Sequence, residues 1–149
     1  MGSPVILIVE DEGLISSLLG HVLRAGGYET LMARSGAEAL SLGRLYQGDI
    51  DLLLCDVLLP DQAGFEVALN IWELYPRVKT LFTSGYPLDS LIERGLLPET
   101  LPNESEFFIP KPFRPKELIH FVDRILSMPR PAARAGMKQR GAASVSAAH

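Results

Sequence analysis

Hydrophobic and polar positions along residues 5–127 alternate between two periodicities. Short, mostly apolar runs typical of buried strands occur at residues 5–9, 28–33, 52–55, 78–82 and 107–109. Between them, apolar residues recur at helical spacing in segments 14–23, 36–46, 64–75 and 115–127. Strands that alternate with helices predict an α/β fold, a doubly wound parallel sheet with right-handed crossovers and helices on both faces.

The segment between the fourth and fifth predicted strands breaks this rhythm. It contains Pro87, Pro98, Pro102 and Gly95, which interrupt regular structure. We therefore expect one short helix near residues 89–94 within a long irregular loop. The fourth helix of the fold is predicted to be eroded, and loops of this length are often functional.

Polar side chains follow four of the predicted strands, at the point where each strand ends. Glu10 and Asp11 follow the first strand, Asp56 the third, Ser84 the fourth and Lys111 the fifth. Functional groups of open parallel sheets gather at the carboxyl ends of the strands. We therefore expect three carboxylates, a hydroxyl and an ammonium at one edge of the sheet.

This combination of groups suits a phosphoryl group carried on a carboxylate. Close carboxylates repel one another, and all-oxygen ligands favour a hard cation such as Mg²⁺. Asp56 would be the nucleophile, with Lys111 and the cation neutralising the phosphoryl oxygens. Each residue also has a plainer interpretation: acidic residues 10–12 favour a helix start, Ser84 suits a turn, and Lys111 suits a solvated surface.

Composition and charge divide the 149 residues into two parts. Residues 1–128 carry a net charge of −8 and residues 129–149 carry +4, which together give −4. The acidic body argues against nucleic-acid binding, and no apolar run is long enough to span a membrane. The basic segment 129–149 is rich in Ala, Gly, Ser and Pro and is predicted to be a disordered tail. A single cysteine, Cys55, excludes an internal disulfide.

Four segments resemble the signature motifs of the receiver domain of bacterial two-component response regulators. They are ILIVEDE, LLLCDVLLPDQAGFE, LFTSGY and FFIPKPF, in this order along residues 4–127. The last two are similar to receivers of hybrid sensor kinases and of some stand-alone regulators. The resemblance implies a flavodoxin-like (βα)5 receiver domain at residues 1–128, with a five-stranded sheet of order 2-1-3-4-5.

The resemblance also implies a role for each acidic residue. Asp56 is the expected phosphoacceptor. Asp11 and Asp56, with the backbone carbonyl of Leu58, are the expected ligands of Mg²⁺ or Mn²⁺. Glu10 is expected to act through a water molecule, at a position where the family more often has aspartate. Leu58 cannot orient an attacking water, so we expect slow self-dephosphorylation.

Three further residues receive roles from the same resemblance. Lys111 is expected to pair with the phosphoryl oxygens, and the peptide bond between Lys111 and Pro112 is expected to be cis. Ser84, preferred to Thr83 because a small glycine follows it, is expected to move toward the phosphoryl group. Phe108 takes the place of the switch aromatic, where it acts by packing because it lacks a hydroxyl.

The implied function is two-component phosphorelay signalling in the cytoplasm. A histidine kinase or histidine phosphotransfer protein would donate the phosphoryl group, and a changed surface would bind a downstream protein. The chain would catalyse only its own phosphorylation and dephosphorylation and is not expected to be a conventional enzyme. No output-domain pattern follows residue 127, so a single-domain regulator is expected.

Two alternatives to this function remain open. The first is a receiver domain excised from a hybrid sensor histidine kinase. The second is a phosphatase with an aspartyl nucleophile, which Leu58 disfavours because such enzymes usually carry a second Asp at that position.

Overall fold

Five parallel strands and five helices form the part of the chain that the computed structural model describes, residues 2–134. The strands are β1 (Val5–Val9), β2 (Glu29–Ala33), β3 (Leu52–Asp56), β4 (Lys79–Ser84) and β5 (Glu106–Pro110). The helices are α1 (Gly13–Ala25), α2 (Gly36–Leu45), α3 (Gly64–Leu74), α4 (Leu88–Glu93) and α5 (Pro115–Ser127).

The topology confirms the predicted fold class. The strand order is β2-β1-β3-β4-β5, and every neighbouring pair is parallel. Helix α4 has only six residues, as the prolines around it predicted. Within residues 2–134, no helix is both long and apolar enough to cross a bilayer.

Strand β4 ends two residues later than the sequence pattern predicted. Thr83 pairs with Asp56 on β3 and with Ile109 on β5, and Ser84 pairs with Pro110. This pairing extends the sheet because both neighbouring strands continue to the same level. The two hydroxyl residues are therefore part of the sheet rather than of the following loop.

The core consists of two apolar layers, one on each face of the sheet. Alternate strand residues point to opposite faces, so neighbours in β3 such as Leu53 and Leu54 belong to different layers. One layer includes α3 and α4, and the other includes α1 and α5. Such burial on both faces explains why the strands are apolar without alternation.

Residues just after α5 contact the amino-terminal edge of the sheet. Arg130 pairs with Asp49, and Arg134 pairs with Glu106 at 2.6 Å. The guanidinium of Arg134 also lies 4.3 Å from the ring centroid of Trp72. These contacts were not expected from the composition of the segment, and disorder from residue 129 stays a prediction. Residues 135–149 lie outside the described residues, and a domain boundary at residue 128 stays a prediction.

Candidate functional site

The predicted acidic residues meet at the carboxyl edge of the sheet. Carboxylate oxygens of Glu10, Asp11 and Asp56 all lie within 4.8 Å of one another. The register pairs Val9 of β1 with Cys55 of β3, so the residues that follow these two reach the same level. Glu10 and Asp56 are buried and Asp11 is exposed, so the cluster opens to solvent on one side.

Lys111 connects two members of this acidic cluster. Its Nζ donates hydrogen bonds to Oε1 of Glu10 at 2.8 Å and to Oδ2 of Asp56 at 3.0 Å. The backbone N–H of Lys111 donates to the carbonyl of Ser84 at 2.9 Å, which extends the β4–β5 pairing to the pocket. The peptide bond between Lys111 and Pro112 is cis, as predicted.

Burial and the hydrogen bonds with neighbouring charged groups have opposite effects on the pKa values of Glu10 and Lys111. Burial is the largest influence on Glu10 and raises its pKa, although the hydrogen bond from Lys111 opposes this change. Burial alone would lower the pKa of Lys111, but its hydrogen bonds to Glu10 and Asp56 raise it above the usual value. The lysine therefore stays charged and is held by the carboxylates.

The donor set fits a hard divalent cation. The group contains three carboxylates and one ammonium, which contacts two of them, so it keeps excess negative charge. Oxygen ligands from few side chains, completed by water, are what Mg²⁺ takes in proteins. Glu10, Asp11 and Asp56 are therefore the residues that would hold Mg²⁺ or Mn²⁺ here.

A tight loop after β3 shapes the acceptor side of the pocket. The N–H of Leu58 donates to Oδ1 of Asp56 at 3.2 Å, and Leu58 forms an antiparallel bridge with Ala63. The N–H of Gly64 donates to the carbonyl of Val57 at 2.6 Å. A Cβ atom on Gly64 would lie 2.1 Å from the carbonyl oxygen of Asp56, so only glycine permits this approach.

Two neighbouring hydroxyl residues end β4, and their contacts differ. Oγ of Ser84 accepts a hydrogen bond from the N–H of Tyr86 at 3.1 Å. Among residues 2–134, Oγ1 of Thr83 is the buried side-chain polar atom without a hydrogen-bond partner. Ser84 stays the predicted switch residue, and its hydroxyl hydrogen is free to turn toward a new acceptor.

Phe108 lies in β5, paired with Phe82 of β4. Its side chain is partly buried and packs against the apolar layer that contains Phe82 and Leu91. Movement of Phe108 would therefore disturb the packing of β4 and α4. Its switching role stays a prediction.

Two residues near the pocket were not identified from the sequence. Nε and Nη2 of Arg34 donate to the backbone carbonyl of Asp11 at 3.0 and 2.8 Å. The carboxylate of Asp61 accepts hydrogen bonds from the N–H groups of Gly36 and Ala37, each at 3.0 Å. Strand β2 ends at the same sheet edge as the pocket, and Arg34 directly follows it. Its position after a strand end is therefore the sequence signal that points to Arg34.

Comparison with known proteins decides the family. Residues 6–123 match the response regulator receiver domain. This chain belongs to that family. The receiver domain is 32% identical over 126 residues to the sensor kinase CckA of Brucella abortus, covering 84% of this chain and 13% of that kinase. It is 30% identical over 122 residues to the transcriptional regulatory protein CpxR of Escherichia coli, and the match covers 81% of this chain and 48% of that protein.

Solved structures agree with this assignment. The receiver domain of the hybrid histidine kinase CckA superimposes with a TM-score of 0.68 at 34% identity, covering 82% of this chain and 98% of that one. A CheY-like receiver from Methanospirillum hungatei gives a TM-score of 0.69 at 26% identity, covering 85% and 95%. The receiver spans less than half the length of the curated relatives named above, which therefore carry further segments.

Proposed function

We propose that this receiver domain accepts a phosphoryl group on Asp56 and thereby controls binding of a partner protein in two-component signalling. The observation that carries the proposal is the meeting of Glu10, Asp11, Asp56 and Lys111 at one sheet edge. Three segments distant in sequence contribute these groups. Membership of the receiver family supports a shared role for them in accepting a phosphoryl group.

Phosphoryl transfer to Asp56 requires charge neutralisation more than covalent assistance. An oxygen of Asp56 forms a bond to phosphorus while the bond from phosphorus to the donor's imidazole nitrogen breaks, and that nitrogen keeps the electron pair. The ammonium of Lys111, 3.0 Å from Oδ2 of Asp56, stands ready to pair with the transferred oxygens. Bound Mg²⁺ would supply further positive charge at the phosphoryl oxygens.

The structural response is proposed to begin at Ser84. Its hydroxyl would leave the N–H of Tyr86 and donate to a phosphoryl oxygen. Phosphorylation adds about −1.5 to −2 charges to the pocket, which supplies the driving force. Because Ser84 directly precedes the loop to α4, its movement would change the surface made by that loop, Phe108 of β5 and α5.

The partners belong to this proposal as well. The donor is a histidine kinase or a histidine phosphotransfer protein, and the recipient of the signal is a protein rather than a nucleic acid. Similarity to the receiver of a hybrid histidine kinase along 82% of this chain supports a place in a phosphorelay, either beside a kinase or as a separate regulator. A cytoplasmic location follows from these partners.

Intact-protein mass spectrometry tests the proposal. The chain is incubated with acetyl phosphate and Mg²⁺, beside a chelator control and the variant Asp56→Asn. We expect a phosphoryl adduct that requires the metal and is lost in Asp56→Asn. Asp49→Asn is the matched control, because Asp49 lies at the opposite edge of the sheet and pairs with Arg130. An adduct that persists in Asp56→Asn, or none in the unaltered protein with either acetyl phosphate or a histidine-phosphorylated donor, would contradict it.

A further inference from the structure

Residues 34–37, the β2–α2 corner, contact both loops that carry the predicted cation ligands. We propose that this corner sets the spacing of those ligands, with Arg34 and Asp61 as positioning residues that raise the affinity for a divalent cation. The inference deepens the proposed function and rests on it, because it concerns the same acidic pocket. Neither residue is a cation ligand in this proposal.

The first contact fixes the loop after β1. Two donors of one planar guanidinium, Nε and Nη2 of Arg34, hold the backbone carbonyl of Asp11. A two-donor contact defines direction as well as distance, which a single hydrogen bond does not. The side chain of Asp11 is exposed, so contacts of its main chain have to place it.

The second contact fixes the loop after β3. Asp61 lies in the loop that contains Leu58, and its two oxygens accept from the N–H groups of Gly36 and Ala37 at the start of α2. These amides belong to the first turn, where helix geometry leaves them without partners in the helix and favours negative charge. The same two hydrogen bonds lower the pKa of Asp61, which therefore stays ionised at neutral pH.

The corner is itself held in a fixed conformation. Oγ of Ser35 accepts a hydrogen bond from the N–H of Glu38 at 3.1 Å, and Oε1 of Glu38 accepts from the N–H of Arg34 at 3.3 Å. Gly36 is packed against Gln62, since a Cβ atom there would lie 2.3 Å from the Gln62 Nε2. A corner with these internal contacts can serve as a fixed reference for the loops after β1 and β3.

Because of the strand order, the β2–α2 corner contacts two loops that are distant from each other in the sequence. Strand β1 lies between β2 and β3, so the corner that follows β2 reaches past β1 to the loop after β3. The Asp11 carboxylate and the Leu58 carbonyl, both expected cation ligands, are therefore held by one element. Loss of either contact would widen the distribution of distances between them and weaken cation binding.

The charge of Arg34 and its contact with Asp11 predict opposite changes in cation affinity when the guanidinium is removed. The guanidinium is a positive charge beside an acidic pocket, so its removal should tighten cation binding if only Coulombic interactions matter. If Arg34 acts by holding Asp11, its removal should weaken binding. We expect Arg34→Gln to bind Mn²⁺ about tenfold more weakly, a size found when groups that orient metal ligands are removed.

The experiment measures Mn²⁺ affinity of the full chain by isothermal titration calorimetry, with Mg²⁺ as competitor. The variants are Arg34→Gln, Arg34→Lys and Asp61→Asn, and the matched control is Arg44→Gln, which removes an exposed arginine of α2. We expect Arg34→Lys to bind with intermediate affinity, since lysine keeps the charge but not the two-donor contact. Thermal unfolding without metal shows whether each variant folds.

Asp61→Asn also removes a negative charge, which weakens cation binding by itself. Its titration is therefore made in 1 M KCl, where the Debye length is about 3 Å and exposed charges are screened. We expect the loss of affinity to persist there, because it comes from the released loop.

Two results would overturn the inference in distinguishable ways. If the unaltered chain binds Mn²⁺ and Arg34→Gln binds equally well or more tightly, the corner does not position the ligands and the proposed function stands. If the unaltered chain binds no Mn²⁺, the proposed metal site is wrong, and the inference fails with it.

Discussion

The ammonium of Lys111 lies 2.8 Å from Oε1 of Glu10, an ion pair between residues 101 positions apart in the sequence. Glu10 is buried and burial raises its pKa, so this contact keeps a charged carboxylate in an unfavourable environment. Lys111 also contacts Asp56, and a divalent cation would use the same carboxylates. A bound cation would therefore compete with Lys111 for these carboxylates.

Removal of the lysine should strengthen cation binding and weaken phosphorylation. We expect Lys111→Met to bind Mn²⁺ about tenfold more tightly, which corresponds to about 1.4 kcal/mol of repulsion removed. Uptake of phosphate from acetyl phosphate should become slower despite the tighter binding. Calorimetry and time-resolved intact mass measure the two effects. Lys116→Met, a change at an exposed lysine of α5, is the control, and weaker Mn²⁺ binding by Lys111→Met would contradict the competition.

Leu58 is expected to protect the phosphorylated state. Its side chain is 42% exposed beside the acceptor, and its N–H contacts Asp56. An amide there can orient a water molecule toward phosphorus, so Leu58→Asn should speed the loss of phosphate. We expect about a tenfold increase, equivalent to about 1.4 kcal/mol of activation free energy. The decay of the adduct is followed by intact mass, with Leu45→Asn on α2 as the control. An unchanged decay rate would exclude this protective role.

Lys79 is expected to contribute to stability at the other end of the sheet. Its Nζ donates to the backbone carbonyls of Ile125 and Met128 at 2.5 and 2.8 Å, and the residue is 3% exposed. Lys79→Met keeps the apolar stem but leaves these carbonyls at the end of α5 without that donor. We expect the free energy of unfolding to fall by about 1–3 kcal/mol, measured by urea denaturation. An equally stable variant would show that water replaces the ammonium without cost.

The contact between Asp49 and Arg130 predicts a pH dependence of stability. The hydrogen bond from Arg130 lowers the pKa of Asp49 below its usual 3.8. A lowered carboxyl pKa stabilises the fold above the unfolded value, and this stabilisation is lost as pH falls through the folded value. Asp49→Asn should therefore lower the free energy of unfolding at pH 7 and at pH 5. The decrease should be at most ~1 kcal/mol, because the ion pair is at the surface.

Urea denaturation at pH 7, 5 and 3 measures this effect. The difference between the unaltered chain and Asp49→Asn should shrink toward pH 3. Asp89→Asn, at an exposed aspartate of α4, is the control for the loss of one negative charge. A difference that grows on acidification would contradict the assigned sign.

The sequence pattern was sufficient to predict the strands and the groups at their carboxyl ends, whereas the order of the strands was implied by the resemblance to receiver domains. Apolar runs show where a parallel sheet lies, and sheet geometry brings the ends of its strands together. Asp56 and Lys111 could be placed near each other on this basis, and the structure puts them 3.0 Å apart. The roles of individual ligands depended on resemblance and stay predictions.

Contacts between loops and distant backbone groups could not be predicted. Arg34 reaches a carbonyl in another loop, and no local periodicity encodes such a contact. Contacts of residues 130–134 with the domain were not predicted, because a composition poor in apolar residues normally indicates disorder. Arg130 pairs with Asp49, and Arg134 pairs with Glu106. The net charge of residues 1–128 does not show where individual acidic residues lie, so these pairs could not be predicted from it.

The stacking of Arg134 on Trp72 lies at the amino-terminal edge of the sheet. Arg134 lies by Glu106, at the start of β5, whereas Asp56 ends β3 at the opposite edge. The two edges are separated by the length of a five-residue strand, about 17 Å. Trp72 is also the chain's sole tryptophan, so its fluorescence reports on the contact with Arg134. A change at Asp56 would therefore reach Trp72 and Arg134 through the strands and helices that lie between the two edges.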